Sequence, residues 1–227
     1  MAKKVLFDSK SAQPFKLSRS RLALFMECPR CFYLEHRFGA TRPSGPPFTL
    51  NNCFDKLMKR EFDQYRVKKT PHPDLETWRQ NFKGITFLYE PANMLVSGAI
   101  DDVWIRPDKR LIIVDYKATS MDKPITMEDK NRARYRKQLE IYHWLFSKNG
   151  FPMHTEACLV YGNARNDRES LAGRFDFDLQ ILKHTCDDLW VEPMIKMART
   201  CLAGAKIPPA DEKCPFCKYT GKALESQ

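Results

Sequence analysis

One continuous stretch, residues 94–117, constrains most strongly what this chain can fold into. Its first half is mostly apolar but is interrupted by Asp101 and Asp102, and its second half begins with four consecutive aliphatic residues, 111–114. Between them lies the sequence Arg-Pro-Asp-Lys at residues 106–109. Proline and aspartate favour turns, and an unbroken aliphatic run is typical of a strand buried on both faces. The stretch therefore predicts two strands joined by a turn.

Two charged residues continue the second of these strands. Asp115 and Lys117 are two residues apart, so on a strand they project from the same face. Burying a carboxylate and an ammonium costs free energy unless they are paired or bind something. Phosphodiester hydrolysis requires a hard cation with oxygen ligands and an activated water. We predict that Asp101, Asp115 and the backbone carbonyl of Tyr116 hold Mg²⁺ or Mn²⁺, and that Lys117 holds or polarises the water; the alternative is a hairpin whose acids are solvated at a sheet edge.

Outside this stretch, periodic patterns predict alternating helices and strands. Apolar residues at helical spacing predict helices over residues 18–27, 50–67, 74–82, 127–148 and 179–202. Strand-like patterns occur over residues 85–89, 154–162 and 171–177. This order predicts an α/β protein with a central mixed β-sheet flanked by helices.

Composition and charge narrow the class of protein. The chain has 227 residues, of which 43% are apolar and 29% charged, and this fits a globular domain with a substantial core. No apolar run approaches the roughly 18 residues of a membrane span, and the N-terminal sequence lacks the apolar core of a signal peptide. We therefore expect a cytoplasmic protein without a membrane partner. The net charge of +10 fits a polyanionic partner such as nucleic acid, although an ordinary basic protein fits it equally well.

Four of the eight cysteines form two Cys-x-x-Cys pairs, Cys28 with Cys31 and Cys214 with Cys217. In a chain without a signal peptide, such pairs argue for metal or redox chemistry more than for disulfides. The four thiolates could form one metal site although the pairs lie at opposite ends of the sequence. Such a site would join the two ends of the chain.

The helix predicted over residues 127–148 carries a polar pair within an apolar face. Gln138 and Tyr142 are four residues apart and share that face, and a glutamine in an apolar stripe invites a partner. Basic residues surround the neighbouring Tyr135: Lys130, Arg132, Arg134, Arg136 and Lys137. We predict that they contact nucleic-acid phosphates, with a base stacked on Tyr135; the alternative is a solvated helix face.

These motifs resemble the PD-(D/E)xK nuclease superfamily, in its RecB-like branch. That family carries Gly-x-x-Asp on one strand and Asp/Glu-x-Lys on the next, and the matching residues here are Gly98, Asp101, Asp115 and Lys117. RecB-like nucleases also carry Gln-x-x-x-Tyr on the following helix, which Gln138 and Tyr142 match. The resemblance implies a restriction-endonuclease-like core in which Asp101, Asp115, Lys117, Gln138 and Tyr142 are catalytic.

The resemblance also bears on two further ligand sets. RecB-like members usually have a metal-side histidine on the helix before the Gly-x-x-Asp strand, and Asp55 occupies that place here, with Glu61 as the alternative. The segment around Cys28 resembles iron–sulfur members such as CRISPR-associated RecB-like exonucleases and AddAB-type nuclease domains. There, one cysteine before the core and three after it bind a [4Fe–4S] cluster.

In this chain the position of the third late cysteine is Ala223, so Cys31 is the substitute, with Cys201 as the alternative. The resemblance favours [4Fe–4S], whereas two Cys-x-x-Cys pairs also suit tetrahedral Zn²⁺.

The function implied by the resemblance is that of a divalent-metal-dependent deoxyribonuclease. We expect an exonuclease on single-stranded or end-containing DNA, in DNA repair, recombination or CRISPR adaptation, with DNA and other nuclease, helicase or CRISPR-adaptation proteins as partners. The alternatives are a nucleic-acid-binding assembly subunit with weak or lost cleavage and a redox or zinc-binding interaction protein. The expected organisation is a flexible N-terminus over residues 1–16, a single nuclease domain over 17–219 with its cysteine segments at 17–50 and 203–219, and a tail over 220–227.

Overall fold

The computed structural model describes residues 5–45, 49–68, 78–80, 84–129, 132–170 and 173–225. The strands are β1 (Phe15–Ser18), β2 (Trp78–Gln80), β3 (Ile85–Tyr89), β4 (Met94–Gly98), β5 (Asp102–Ile105), β6 (Leu111–Thr119), β7 (Glu156–Ala164) and β8 (Phe177–Thr185). The helices are α1 (Arg19–Glu27), α2 (Pro29–Phe38), α3 (Thr49–Lys68), α4 (Ala133–Lys148), α5 (Val191–Ala203) and α6 (Pro215–Glu225).

The chain divides into two compact units. The terminal unit comprises Met1–Pro46, Thr86–Ser97 and Leu189–Gln227, and the central unit comprises Pro47–Ile85 and Gly98–Asp188. In the part of the chain that is described, no helix is both long and apolar enough to cross a membrane.

The terminal unit is built on a small sheet in the order β1-β4-β3, with β1 parallel to β4. Helix α1 begins where the Ser18 hydroxyl accepts a hydrogen bond from the Arg21 backbone N–H, 3.4 Å away, which satisfies a donor that the first helical turn leaves free. Helices α1 and α2 both pack against α5. Phe7 is buried in this unit, and the guanidinium of Arg199 lies 4.4 Å from the centre of its ring.

The central unit contains a five-stranded sheet in the order β2-β5-β6-β7-β8. Strand β6 is antiparallel to β5 and parallel to β7, and the β6–β7 crossover contains α4. The aliphatic run at the start of β6 is buried, as its sequence predicts. Phe54, Met58 and Phe62 of α3 pack over this sheet in one apolar cluster. The predicted α/β architecture, a mixed sheet flanked by helices, is confirmed.

The first predicted strand of the 94–117 stretch is in fact two strands in two different sheets. Strand β4 ends at Gly98, β5 begins at Asp102, and Asp101 lies in the link between them. A carboxylate oxygen of Asp101 accepts a hydrogen bond from the Tyr116 backbone N–H at 3.1 Å, which ties the link to β6. The hairpin proper is therefore β5–β6.

Four other predicted elements differ from the structure. The helix predicted over 179–202 is wrong in its first part, because residues up to Thr185 pair with β7 as β8 and the helix α5 begins at Val191. The strand predicted over 171–177 starts only at Phe177, and residues 171–172 lie outside the described residues.

Helix α4 begins at Ala133 instead of Met127, whose side chain is buried in a non-helical segment. Within the helix predicted over 74–82, residues Trp78–Gln80 form a strand, and the other positions lie outside the described residues.

Candidate active site

The β5–β6 hairpin brings the predicted acids and the lysine together in the central unit. Asp115 on β6 is almost fully buried, and the Lys117 ammonium contacts its carboxylate. The Lys117 Nζ also donates to the Tyr116 carbonyl oxygen at 3.1 Å. Asp101 reaches the same place from the link before β5 through its hydrogen bond from the Tyr116 N–H. Two carboxylates, a backbone carbonyl and an ammonium thus converge around residues 115–117 of β6.

The two carboxylates have opposite pKa shifts. Burial raises the pKa of Asp115 to about 7, because the favourable charge of Lys117 is outweighed by desolvation and by the neighbouring Asp101. Burial also disfavours the charge on Asp101, but Lys59 and Lys117 hold its pKa below the usual range. A bound cation would favour the ionised form of both acids, above all that of the buried Asp115, whose ionisation is disfavoured by desolvation and by the charge of Asp101. The donor set of carboxylate and carbonyl oxygens fits a hard divalent cation such as Mg²⁺ or Mn²⁺.

Asp102, the neighbouring acid, is directed to a different partner. Its carboxylate accepts hydrogen bonds from the Tyr116 hydroxyl and from the Val103 backbone N–H, the latter at 2.8 Å. Both contacts are internal to the hairpin. Asp101, the acid at the Gly-x-x-Asp spacing, is the one that lies near Lys117.

Gln138 and Tyr142 of α4 contact different parts of the site: Gln138 contacts the β5–β6 hairpin, and Tyr142 contacts the link before it. The Gln138 Nε2 donates to the Asp115 carboxylate at 2.6 Å. The Tyr142 hydroxyl donates to the Ala99 carbonyl at 2.6 Å. A Cβ atom at Gly98 would lie 2.6 Å from the Tyr142 ring, so the close approach of this ring requires glycine there. Gln138 therefore orients a carboxylate, whereas Tyr142 holds the backbone that carries Asp101.

Helix α3 adds a lysine that the sequence pattern did not single out. The Lys59 Nζ donates to Asp55 at 2.8 Å and to Asp101 at 3.0 Å. Through these two carboxylates the pKa of Lys59 is raised, although its burial acts in the opposite direction. Asp55 is thus linked to Asp101 through the Lys59 ammonium, which contacts both carboxylates. The sequence signal that could have drawn attention to Lys59 is its four-residue spacing from Asp55, which places both residues on one helix face.

The basic residues near α4 fall into two groups. Arg132 is buried, contacts the Asp129 carboxylate and lies 5.2 Å from the centre of the Tyr161 ring, and Arg136 donates to the Met127 carbonyl. These two guanidiniums hold the segment before α4.

The second group lies further out. Lys137 pairs with Glu140 at 3.0 Å, and Arg134 lies 4.7 Å from the centre of the Tyr135 ring, whose face also lies 5.2 Å from the Lys117 Nζ. Lys130 lies outside the described residues.

The four predicted cysteines form a second site, in the terminal unit. Their sulfur atoms all lie within 4.8 Å of one another and all four residues are buried. The Sγ atoms of Cys28 and Cys217 are 3.6 Å apart, and those of Cys31 and Cys214 are 3.7 Å apart. The predicted joining of N- and C-terminal segments by four cysteines is confirmed.

The surroundings of these thiols shift their pKa values in different directions, so the thiolate form is favoured at one cysteine and disfavoured at another. Burial opposes ionisation of Cys214, but the backbone N–H groups of Cys217 and Phe216 donate to its sulfur, and its pKa is lowered to about 7. Burial raises the pKa of Cys31 to about 12. The Arg42 Nη2 donates to the Cys214 sulfur at 3.5 Å.

Comparison with known proteins gives a match at the level of the family. The family model described as the PD-(D/E)XK nuclease superfamily matches residues 50–221, which is most of the chain. No curated protein matches the chain at a significant level.

Solved structures give a fold-level likeness. The crystal structure of SSO0001 is 15% identical, covers 94% of this chain and 87% of its own, and superposes with a TM-score of 0.53. A phage-related exonuclease from Haemophilus somnus 129PT is 13% identical, with coverages of 94% and 96% and a TM-score of 0.47. LHK-Exo in complex with dAMP is 12% identical, with coverages of 93% and 94% and a TM-score of 0.42.

Proposed function

Because this chain belongs to the PD-(D/E)XK nuclease superfamily, a family of metal-dependent nucleases, we propose that its carboxylate site hydrolyses the phosphodiester bonds of DNA. The observation that carries the proposal is the convergence of two carboxylates, a carbonyl and an ammonium around the middle of β6, from Asp101, Asp115, Tyr116 and Lys117. The opposed pKa shifts of the two acids support it, since shifted acid pairs are typical of functional sites.

Each residue has a role that follows from its contacts. Asp101, Asp115 and the Tyr116 carbonyl would hold Mg²⁺ or Mn²⁺, which when bound polarises a phosphate and lowers the pKa of a bound water. The Lys117 ammonium, beside two of these oxygen donors, orients the attacking water and stabilises the negative charge that develops on the phosphate. Gln138 fixes the Asp115 carboxylate, and Tyr142 fixes the link before Asp101.

The substrate proposal rests on charge and on the surface near Lys117. The chain carries a net charge of +10, which favours a polyanion. Tyr135 and Arg134 stack next to Lys117 and offer a platform for an unpaired base and a cation for its phosphate. We therefore favour an exonuclease on single-stranded or end-containing DNA.

The biological setting is proposed from the RecB-like motifs. They favour work in DNA repair, recombination or CRISPR adaptation in the cytoplasm, beside other nuclease or helicase proteins, with residues 17–219 as one nuclease domain.

Cleavage of end-labelled DNA tests the proposal. Single- and double-stranded substrates labelled at either end are incubated with Mg²⁺ or Mn²⁺, using wild type, Asp115→Ala and Lys117→Ala. We expect both variants to lose at least about 1,000-fold in rate, since each removes a group at the reacting atoms. Lys183→Ala, which changes an exposed lysine on β8, is the matched control and should cleave like wild type. Full activity in Asp115→Ala or Lys117→Ala would overturn the assignment.

One observation favours a second function, that of a DNA-binding assembly subunit with weak or lost cleavage. Lys59 lies 3.0 Å from Asp101, so an ammonium stands where it can neutralise one of the proposed ligands without a metal. Under this alternative, wild type binds labelled DNA in a gel-shift assay but does not cleave it with any divalent cation. Mg²⁺- or Mn²⁺-dependent cleavage that Asp115→Ala abolishes excludes it.

A further inference from the structure

We infer that the four-cysteine site of the terminal unit binds a single tetrahedral Zn²⁺ ion, and that it does not fit the [4Fe–4S] cluster found in the nucleases that its N-terminal motif resembles. The inference concerns a site separate from the proposed nuclease centre and stands whether or not the chain cleaves DNA.

The separation of the sulfur atoms is the first argument. Four thiolates about 2.3 Å from one Zn²⁺ ion form a tetrahedron with edges of about 3.8 Å. In a [4Fe–4S] cluster each cysteine binds a different iron at a separate corner of a cube, so the sulfurs stand roughly 6 Å apart. Here two of the sulfur pairs are separated by 3.6 and 3.7 Å, and all pairs lie within 4.8 Å. The site has the size of one ion.

The backbone around the site is the second argument. Each pair has the sequence Cys-Pro-x-Cys at the start of a helix, with Cys28 before α2 and Cys214 before α6. The Cys31 backbone N–H donates to the Cys28 sulfur at 3.4 Å, so one tight turn directs both sulfurs of the pair to the same side. Backbone N–H groups at helix starts also stabilise thiolates. Two such turns facing each other supply the four ligands of a closed structural zinc site.

The close packing around the site is the third argument. Cys28 is fully buried and Cys31 is 9% exposed. Cys201, the alternative cysteine in this unit, has its sulfur 4.0 Å from the Pro29 carbonyl and is outside the group of four among the described residues. Admitting a cluster would require the four buried sulfurs to move apart, and α2, which begins at the first pair, is packed against α5.

The Arg42 side chain is compatible with either Zn²⁺ or a [4Fe–4S] cluster. It compensates the negative charge that the four thiolates retain after the metal is bound. Four thiolates and one Zn²⁺ leave two negative charges in a buried place, which is costly without a counter-charge. The Arg42 guanidinium reaches the Cys214 sulfur and lies 4.8 Å from the centre of the Phe216 ring, which keeps it in place.

Metal analysis under conditions that favour the cluster tests the inference. The full chain is produced with supplementary iron and zinc together with iron–sulfur assembly proteins, and is purified without oxygen. We expect about one zinc and less than about 0.1 iron per chain, with no broad absorption near about 400 nm. Stoichiometric iron with inorganic sulfide, or a folded chain with neither metal, would overturn it.

Replacing Zn²⁺ by Co²⁺ at the four-cysteine site reports the coordination geometry, because the visible absorption of Co²⁺ depends on it. We expect strong visible bands between about 600 and 750 nm, which are typical of Co²⁺ in a tetrahedral thiolate site. Cys217→Ser should weaken Zn²⁺ binding by at least about 100-fold, whereas Cys201→Ser, the matched control, should bind like wild type. If Cys217→Ser does not fold, the wild-type Co²⁺ spectrum decides alone. Weak octahedral-type bands in wild type would contradict the inference.

Discussion

The carboxylate site and the cysteine site both gather buried anions, but they neutralise them differently. In the carboxylate site, side chains of the same unit supply the opposite charge: Lys117 contacts Asp115, and Lys59 lies 3.0 Å from Asp101. In the cysteine site, Arg42 is the cation that contacts a sulfur among the described residues. The anions of the first site are therefore partly compensated by the protein's own cations, whereas we expect the second site to depend on a metal ion to hold its four sulfurs together.

Because of this difference, we expect the loss of each site to have a different consequence. A preorganised site can exchange a weakly held cation during turnover, because the protein does not unfold when the cation leaves. A site whose ligands come from opposite ends of the chain converts metal-binding free energy into folding free energy. We therefore expect damage to the carboxylates to appear in activity and damage to the cysteines to appear in stability.

Of three further predictions, the largest effect is expected from removing the metal from the cysteine site. A zinc chelator of high affinity should make the backbone amides of α2 and α6 exchange hydrogen at least about 100-fold faster, a loss of about 3 kcal/mol of local stability. Amides of β6 and β7 should change by less than about threefold, because the central sheet has its own apolar core. Hydrogen–deuterium exchange by mass spectrometry measures both regions in one sample.

Restoring Zn²⁺ should restore slow exchange, which separates metal loss from irreversible damage. Equal acceleration in both regions would contradict the comparison, and so would unchanged exchange in α2 and α6 after the metal has demonstrably left.

The two sites were accessible to sequence reasoning to different degrees. The cysteine pairs and the Asp115–Lys117 spacing are local patterns, and a local pattern survives folding when buried neighbours enforce it, as the aliphatic run does on β6. Lys59 lies 42 residues before its partner Asp101, and its four-residue spacing from Asp55 predicts only a pair within α3, not the contact with Asp101. The contact between Lys59 and Asp101 depends on how α3 packs on the sheet, which the local sequence does not determine.

The errors in the predicted fold also arose from distant contacts. Leu179 and Leu182 suit a helix by spacing, but all nine residues of β8 pair with β7, and this pairing overrides local preference. Likewise, Ser97-Gly98 is a local turn signal near the break, but it does not by itself place the next strand in another sheet. The break there depends on the Tyr142 ring against Gly98 and on the Tyr116 N–H bonded to Asp101.

A smaller effect on activity is expected from replacing Lys59. This change tests whether the carboxylate site depends on the lysine side chains around it. Lys59→Met keeps the length of the side chain but removes its charge, leaving Asp101 without one of the two lysines that favour its ionised form. We expect the rate of DNA cleavage at saturating Mg²⁺ to fall about 10- to 100-fold. Lys56→Met, which changes an exposed lysine on the same helix, should stay within about twofold of wild type.

The opposite result for Lys59→Met would be equally informative. Faster cleavage together with tighter Mg²⁺ binding would mean that the Lys59 ammonium competes with the cation, and the carboxylate site would then not be preorganised for it. Isothermal titration with Mg²⁺ separates the two outcomes.

The smallest effect concerns the pH dependence of stability in protein without added divalent cations. The pKa of Asp115 is about 7 in the folded chain and near the ordinary value of about 4 when unfolded. A folded pKa above the unfolded one means that the folded state binds the extra proton, so this contribution to stability is lost as pH rises through 7. Between pH 6 and pH 8 the free energy of unfolding of wild type should fall by about 1 kcal/mol more than that of Asp115→Asn, measured by urea unfolding.

Other groups cancel in this difference, which is why it isolates one carboxyl. Asp101 has a lowered pKa and is ionised in both states throughout this range, and His154 titrates alike in wild type and variant. Asp108→Asn, which changes an exposed acid in the turn of the same hairpin, should keep the wild-type slope. Equal slopes in wild type and Asp115→Asn would mean that Lys117 and Gln138 already keep Asp115 ionised. The buried carboxylate would then be fully compensated by the protein itself, and its need for a cation would lose its electrostatic basis.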